Sequence, residues 1–221
     1  MGKFFNKKAI LFDLDGTVID SMEGIFNALY YMFDKVGVKV ENSEGLQRFI
    51  GPSIGSTLMT HYSFEEKAAE DAVEIYREYY STKGLLECTA YEGILELLKL
   101  LKLQGKKIAL ATKKPEVFSL KIIENLGLSK YFDAVCGASL KDNDNSKMAI
   151  IERAVKALGA SKCDVVMVGD TKYDAIGSVD AGVDCIGVLY GFGEEDELTR
   201  NGAIKIAKDV SELTKILTED E

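Results

Sequence analysis

Five short, almost wholly apolar runs constrain this chain more than any other feature: Lys8–Asp13 (KAILFD), Lys107–Thr112 (KIALAT), Asp133–Cys136 (DAVC), Asp164–Asp170 (DVVMVGD) and Asp184–Leu189 (DCIGVL). A strand with one wet face alternates apolar and polar residues, whereas a strand covered on both faces is apolar throughout. Between the later runs lie amphipathic helical patterns near 92–104, 115–126, 146–158 and 171–181. Strand and helix in alternation predict an α/β fold: a doubly wound (Rossmann-like) parallel sheet, with ligands bound at the C-terminal ends of its strands.

The first run breaks that rhythm. After it come about 70 residues without a convincing strand, with helical patterns near 22–36, 43–49, 54–61 and 64–82. Asp20 has the look of a helix N-cap, with Glu23 three residues on to complete a capping box. Alternation resumes only at Tyr91-Glu92-Gly93. The sequence therefore predicts a core domain of residues 1–17 and 88–221, interrupted just after its first strand by an inserted helical domain of residues 18–87. The acidic end Glu219-Asp220-Glu221 reads as a frayed terminus.

The first strand ends on two carboxylates, Asp13 and Asp15, in the stretch LFDLDGTVID. An unpaired buried charge is costly, so acids at the end of a buried strand need a reason. Residues two apart in extended chain project to the same side, so both carboxylates can face one substrate. One can attack while its neighbour moves a proton, a division of labour open to adjacent acids in different environments. Gly16 allows a sharp turn and Thr17 offers a hydroxyl. The plain alternative is a surface turn of the D-x-D-G type.

A second acidic group lies in VMVGDTKYDAIGSVDAG: Asp170 directly after a strand and Asp174 four residues later, at a spacing that lets both face one point on a helix. Hard carboxylate oxygens suit Mg²⁺, which takes one or two such ligands and keeps several waters. Alternatively Asp170 caps a helix and Asp174 is an acid in its first turn. Two other strand ends supply complementary groups. Thr112 closes KIALAT ahead of Lys113, Lys114 and a Pro115 suited to a first helical position, and a hydroxyl beside free N–H groups at a helix start is an anion site. Lys147, before MAIIERAVKAL, can hold a phosphate as a point charge, or be a solvated lysine. The polar stretch DNDNS at 142–146 fails as a calcium loop, since position six is Lys147 and position twelve Arg153.

Composition removes other classes. The chain of 221 residues is 47% hydrophobic with only two prolines, which marks it as globular. No apolar stretch approaches the roughly 20 residues of a membrane helix. Cys88, Cys136, Cys163 and Cys185 stand far apart, read as reduced and mostly buried, and lack the pairing of a zinc site. His61 is the only histidine and lies by no nucleophile motif. A net charge of −9 argues against a nucleic-acid polymer as partner but not against a small anionic substrate. The expectation is a cytoplasmic protein with no membrane partner, a monomer or weak homodimer.

Taken together, Asp13-x-Asp15-Gly16-Thr17, a strand ending in Thr112, then Lys147, then Gly169-Asp170 with Asp174, resemble in order the motifs of the haloacid dehalogenase superfamily of phosphatases. The inserted helices stand where that family places a cap. The resemblance implies that Asp13 is the nucleophile that becomes an aspartyl-phosphate, and that Asp15 protonates the leaving oxygen and later activates water. It implies that Thr112, Lys147 and the backbone N–H of Lys113 hold the phosphate. Mg²⁺ would sit among Asp13, the backbone carbonyl of Asp15 and Asp170, with Asp174 orienting the ligands around it. Arg48, Ser53 and Lys83 are the cap residues expected to meet substrate. Lys147 is followed by Met148 where members similar to phosphoglycolate phosphatase commonly have proline. With RFIGPSIGSTL (48–58) and GVLYGFGEEDEL (187–198), that departure looks closer to the bacterial 5′-nucleotidase-like branch. The implied substrate is a small phosphorylated metabolite, phosphoglycolate or a nucleoside 5′-monophosphate. The rival readings are a phosphosugar mutase of the same superfamily and, from another class, a receiver-like signalling domain phosphorylated on aspartate. A catalytically dead phosphate-binding protein is disfavoured because every expected catalytic group is present.

Overall fold

The computed structural model describes residues 4–40, 43–50, 53–139 and 144–220. Asp142 and Asn143 of DNDNS, Gly51 and Pro52 of RFIGPSIGSTL, and Glu221 of the acidic end lie outside the described residues. By its internal contacts the chain divides into two compact units, Met1–Asp20 with Thr89–Glu221, and Ser21–Cys88.

In chain order the elements begin with β1 (Ala9–Phe12) and β2 (Ile19–Asp20). The second unit then holds α1 (Met22–Lys35), α2 (Ile54–Tyr62) and α3 (Glu66–Tyr80), with a 3-10 turn at Ser43–Phe49. The chain returns to the first unit through β3 (Thr89–Ala90), α4 (Ile94–Leu103), β4 (Lys107–Pro115), α5 (Glu116–Asn125) and β5 (Ala134–Ala138). There follow α6 (Lys147–Ala157), β6 (Val165–Gly169), α7 (Lys172–Ala181), β7 (Asp184–Val188), α8 (Glu195–Arg200), β8 (Lys205–Ala207) and α9 (Val210–Thr218).

Six strands form one parallel sheet in the order β5-β4-β1-β6-β7-β8. The α/β doubly wound core is therefore as the sequence predicts. From β1 the chain builds outward through β4 to β5, then crosses back and builds the other way through β6, β7 and β8. A crevice opens at such a reversal, at the C-terminal ends of the strands. β1 lies at the reversal, with Ala9 opposite Lys107 on one side and Val165 on the other.

All four residues of β1 are fully buried. Ala9 and Leu11 point to the face filled by Ile150, Ile151, Ala154 and Val155 of α6. Ile10 and Phe12 occupy the opposite pleat and are as deeply buried. Burying a side chain of this size contributes about 1.5–3 kcal/mol, so β1 is a rigid base for the catalytic candidates beyond its end.

Several local expectations are corrected. Asp20 is not an N-cap: it ends β2, opposite Thr89, and Ser21 takes the cap position of α1. The Ser21 hydroxyl is buried and has no hydrogen-bond partner among the described residues. Pairing of Ile19–Asp20 with Thr89–Ala90 holds the chain extended through Asp20, which displaces the helix start by one residue. β4 runs past Thr112 to Pro115, with its register on β5 shifting between Ala111 and Pro115, and Pro115 becomes the cap residue of α5. Of the cysteines, Cys136 and Cys185 are buried, Cys88 is half-buried and Cys163 is exposed.

The second unit has a core of its own. Phe33, Phe49 and Tyr62 meet with ring centroids 5.0–5.8 Å apart. Glu87 accepts hydrogen bonds from Asn27 at 3.0 Å and from the Tyr79 hydroxyl at 2.9 Å.

Candidate active site

β1 delivers Asp13 to the C-terminal edge of the sheet, where its backbone N–H donates to the Val168 carbonyl at 2.9 Å. β6 ends at Gly169, and Asp170 follows at once. The register of these adjacent parallel strands, Phe12 opposite Val168, brings Asp13 level with Gly169, one residue short of Asp170. One carboxylate oxygen each from Asp13, Asp170 and Asp174 lies within 4.8 Å of the others.

Lys147, at the first position of α6, is buried among these acids. Its Nζ donates to Asp13 Oδ1 at 2.8 Å and pairs with Asp174 Oδ1 at 2.5 Å. The lysine and Asp174 side chains are only 5% and 1% exposed, so water screens this pairing little. Lys147 is therefore no solvated lysine. Burial by itself would lower its pKa, but Asp13 and Asp174 outweigh burial and hold it above the ordinary lysine value.

Asp174 uses its other oxygen on its own helix. Oδ2 accepts from the Thr171 backbone N–H at 3.0 Å and from the Thr171 hydroxyl at 2.9 Å. Thr171, not Asp170, is the cap residue of α7. Asp174 is consequently both a first-turn acid and a member of the cluster.

Asp170 is fully buried. Its Oδ1 accepts from the Thr17 hydroxyl at 3.2 Å and its Oδ2 from the Phe192 backbone N–H at 2.8 Å. Among the described residues no lysine or arginine forms an ion pair with it. Burial first, then the charges of Asp174 and Asp13, push its pKa well above the usual carboxylate range, with the Phe192 and Thr17 donors opposing. Asp13 is pushed up to about 6, again chiefly by burial, with Lys147 pulling it down and Asp174 and Asp15 pushing it up. Lys147 pairs with two of these three acids, and a buried negative excess of this kind is relieved by a bound cation.

Gly16 follows with φ +77, a backbone conformation that glycine adopts without strain. A Cβ at that position would lie 2.0 Å from Asp170 Oδ2. The turn that swings the chain off β1 thus presses its backbone against the second acid.

Asp15 stands apart from the cluster and is held by Lys114, whose Nζ reaches both carboxylate oxygens at 2.7 and 2.9 Å. The Lys114 side chain is 6% exposed. This is the residue that sequence reasoning missed, having set Lys113 ahead of it. Strand parity was the available signal, because Thr112 and Lys114 share a side of β4 while Lys113 points away. Lys113 is exposed, with Nζ 5.0 Å from the centre of the Tyr173 ring, so any part it plays at the site belongs to its backbone. Thr112 is buried and its hydroxyl accepts from the Lys114 N–H at 3.2 Å.

Arg48 and Ser53 lie in the second unit. Arg48 is exposed on the 3-10 turn. Ser53 caps α2, accepting from the Ser56 N–H at 3.2 Å, and is exposed. Lys83 is exposed, 5.8 Å from the centre of the Tyr79 ring.

The described arrangement offers a carboxylate at the end of a rigid strand, a second carboxylate two residues on, a lysine, a buried hydroxyl and a cation-hungry acidic group. Such a set can align a phosphoryl group and neutralise its charge. Comparison with known proteins agrees with this chemistry. A family model described as haloacid dehalogenase-like hydrolase matches residues 10–188. A 5′-nucleotidase of Pseudomonas aeruginosa is 36% identical over 208 residues, 94% of this chain and 94% of the relative. The tyrosine-protein kinase PtkA of Mycobacterium tuberculosis is 30% identical over 94% of this chain and 72% of its own. Among solved structures, a predicted phosphatase from Clostridium acetobutylicum superposes with a TM-score of 0.88 at 40% identity, covering 97% of this chain and 99% of the other.

Proposed function

The chain belongs to the haloacid dehalogenase-like hydrolase family and is a phosphatase of that family; from this we propose a Mg²⁺-dependent phosphomonoesterase that works through an aspartyl-phosphate on Asp13. The substrate class is a small phosphorylated metabolite, a nucleoside 5′-monophosphate ahead of phosphoglycolate, since the 5′-nucleotidase relative matches end to end.

One observation carries the reading: the Asp13–Asp170–Asp174 oxygens converge around a site whose buried charge a single lysine does not balance. The donor set fits Mg²⁺, being all hard oxygen and in slight excess of negative charge. Asp13 and Asp170 are the carboxylates that would hold it. When bound, the cation neutralises charge on the transferring phosphoryl group.

The rest of the chemistry belongs to the chain. Asp13 attacks phosphorus through the oxygen not bonded to Lys147, and the P–O bond to the leaving alcohol breaks. Asp15, carrying a proton once substrate has displaced Lys114, gives it to that departing oxygen and regains one from the water that cleaves the aspartyl-phosphate. Phosphate leaves and both carboxylates return to their starting states. Lys147 keeps Asp13 ionised and in place, while the Thr112 hydroxyl is at hand for a phosphoryl oxygen. Lys114 steers Asp15 when no substrate is present. The same phospho-Asp13 can pass its phosphoryl group to a hydroxyl other than water, and the name of the 30%-identical kinase relative makes that a reading to test directly. The four free thiols fit a reducing cytoplasm.

The test is phosphate release from an aryl phosphate and from nucleoside monophosphates, with and without Mg²⁺, for wild type and Asp13→Asn. Metal-dependent release lost in the variant is the expected result. Release that survives Asp13→Asn overturns the nucleophile assignment. Loss of substrate without free phosphate identifies transfer to another acceptor.

A further inference from the structure

The segment after β7, Leu189–Gly193, takes no part in the chemistry above, yet it holds the acidic cluster from two directions. The Phe192 N–H donates directly to Asp170 Oδ2 at 2.8 Å. The Tyr190 hydroxyl donates to the Thr17 carbonyl at 3.0 Å, and the Thr17 hydroxyl donates to Asp170 Oδ1 at 3.2 Å. Each oxygen of Asp170 is therefore aimed by this segment, one through a single bond and the other through Thr17.

Between these two anchors the backbone lies tight against the site. A Cβ on Gly191 would fall 2.2 Å from the Gly16 carbonyl oxygen and 2.5 Å from Asp170 Cβ. Tyr190 itself is braced. Its ring meets Tyr91 edge-on, with centroids 4.9 Å apart and planes at 66°, and the Tyr91 N–H donates to the Val18 carbonyl at 3.2 Å. The two tyrosines thus grip consecutive carbonyls, those of Thr17 and Val18, on the segment leaving the Gly16 turn.

We propose that Tyr190 is a positioning residue for Asp170, fixing through Thr17 the plane in which that carboxylate offers its oxygen to a divalent cation. The proposal rests on the Mg²⁺ reading given above. The terminal torsion of an aspartate is broad, so one hydrogen bond leaves its carboxylate free to pivot about that bond. A second bond on the other oxygen fixes the plane. Thr17 can supply it only if its own backbone stays in place, and the glycine before it gives no stiffness. The N–H groups of Thr17, Val18 and Ile19 tie the turn to the Leu14 carbonyl from within, and Tyr190 holds the Thr17 carbonyl from outside it. Partners around metal ligands change affinity by roughly 10–100-fold when lost. Tyr190 acts one bond further out, so a loss of about three- to tenfold is expected.

Mg²⁺ binding is measured by calorimetry on the whole chain, with the metal alone as probe, for wild type, Tyr190→Phe, Thr17→Val and the double variant. Tyr190→Phe keeps the ring against Tyr91, and an unchanged thermal midpoint without metal verifies that the fold is kept. The proposal expects Tyr190→Phe to weaken Mg²⁺ binding about three- to tenfold, and to add little once Thr17→Val has removed the hydroxyl through which it acts. A Thr17→Ser background, which retains the hydroxyl, keeps the Tyr190→Phe effect. Unchanged affinity in Tyr190→Phe, or a loss of the same size in the Thr17→Val background, overturns the proposal and leaves the metal reading intact. A wild type that binds no Mg²⁺ overturns both.

Discussion

Burial and like charge act together on Asp13 and Asp170, and their consequences have opposite value for stability and for chemistry. A nucleophile must be ionised, and burial pushes the Asp13 carboxyl up to about 6. Activity should therefore fall as pH drops through that range, and raising the Mg²⁺ concentration should move the falling limb to lower pH, because a cation favours the charged form. A pH–rate profile at two metal concentrations checks this. Lys147→Met removes the largest influence holding the Asp13 pKa down. The limb should then move to higher pH, and the buried acids left unpaired should cost about 3 kcal/mol of stability in a denaturant titration. For Asp170 the folded value lies above the unfolded one, so the folded chain binds more protons between the two. Its contribution to stability is fully present below the unfolded value and is lost as pH rises through the folded one. Asp170→Asn should accordingly raise the thermal midpoint of the metal-free protein, more at pH 8 than at pH 5. It should also abolish activity and any stabilisation by Mg²⁺. A lower midpoint at pH 8 would contradict this account of the cluster.

At the scale of elements, β1 and its turn do the positioning. Gly16→Ala forces both a positive φ and a 2.0 Å approach to Asp170 Oδ2. A loss of about 1–3 kcal/mol and of nearly all turnover is expected, read by unfolding and by initial rates. On β4 the expected effect is subtler: Lys114→Met should leave the fold intact and reduce turnover about tenfold, since it removes one charged hydrogen-bond partner of Asp15. The apolar runs and their intervening helices were legible because burial on both faces leaves a continuous signal, and the five expected strands are β1, β4, β5, β6 and β7. β8 was not, being three residues at the sheet edge with only Ala207 buried. β2 and β3 were not, since two-residue strands carry no periodicity. The positions of Asp13 and Asp170 just past β1 and β6 were legible from the sequence, but the partner each acid takes was not. Lys114 on Asp15, Thr17 on Asp170 and the Phe192 N–H on Asp170 join residues 99, 153 and 22 positions apart. Only the fold brings such pairs together.

Across the whole molecule the sequence carries a net charge of −9, yet the substrate class proposed for it is anionic. Lys147 and Lys114 are already paired with Asp13, Asp174 and Asp15, so the balancing charge for an anionic phosphoryl group falls to the cation proposed for the cluster. The inserted residues leave and re-enter the core at one place, because Ile19–Asp20 and Thr89–Ala90 pair antiparallel. A 68-residue excursion, Ser21–Cys88, thus interrupts the chain between its first two sheet strands without parting β1 from β4. What unites these features is the claim that Asp13 itself carries the phosphoryl group. It is tested most directly by rapid acid quench of the Asp15→Asn variant with an aryl phosphate and Mg²⁺, followed by peptide mass analysis. An aryl oxide leaves without a proton donor, so the first step proceeds while hydrolysis lags. The account predicts a phosphoryl group on the peptide bearing Asp13, formed with a burst of aryl product. Turnover by the wild type, with that peptide unmodified in the variant despite an aryl burst, would contradict it.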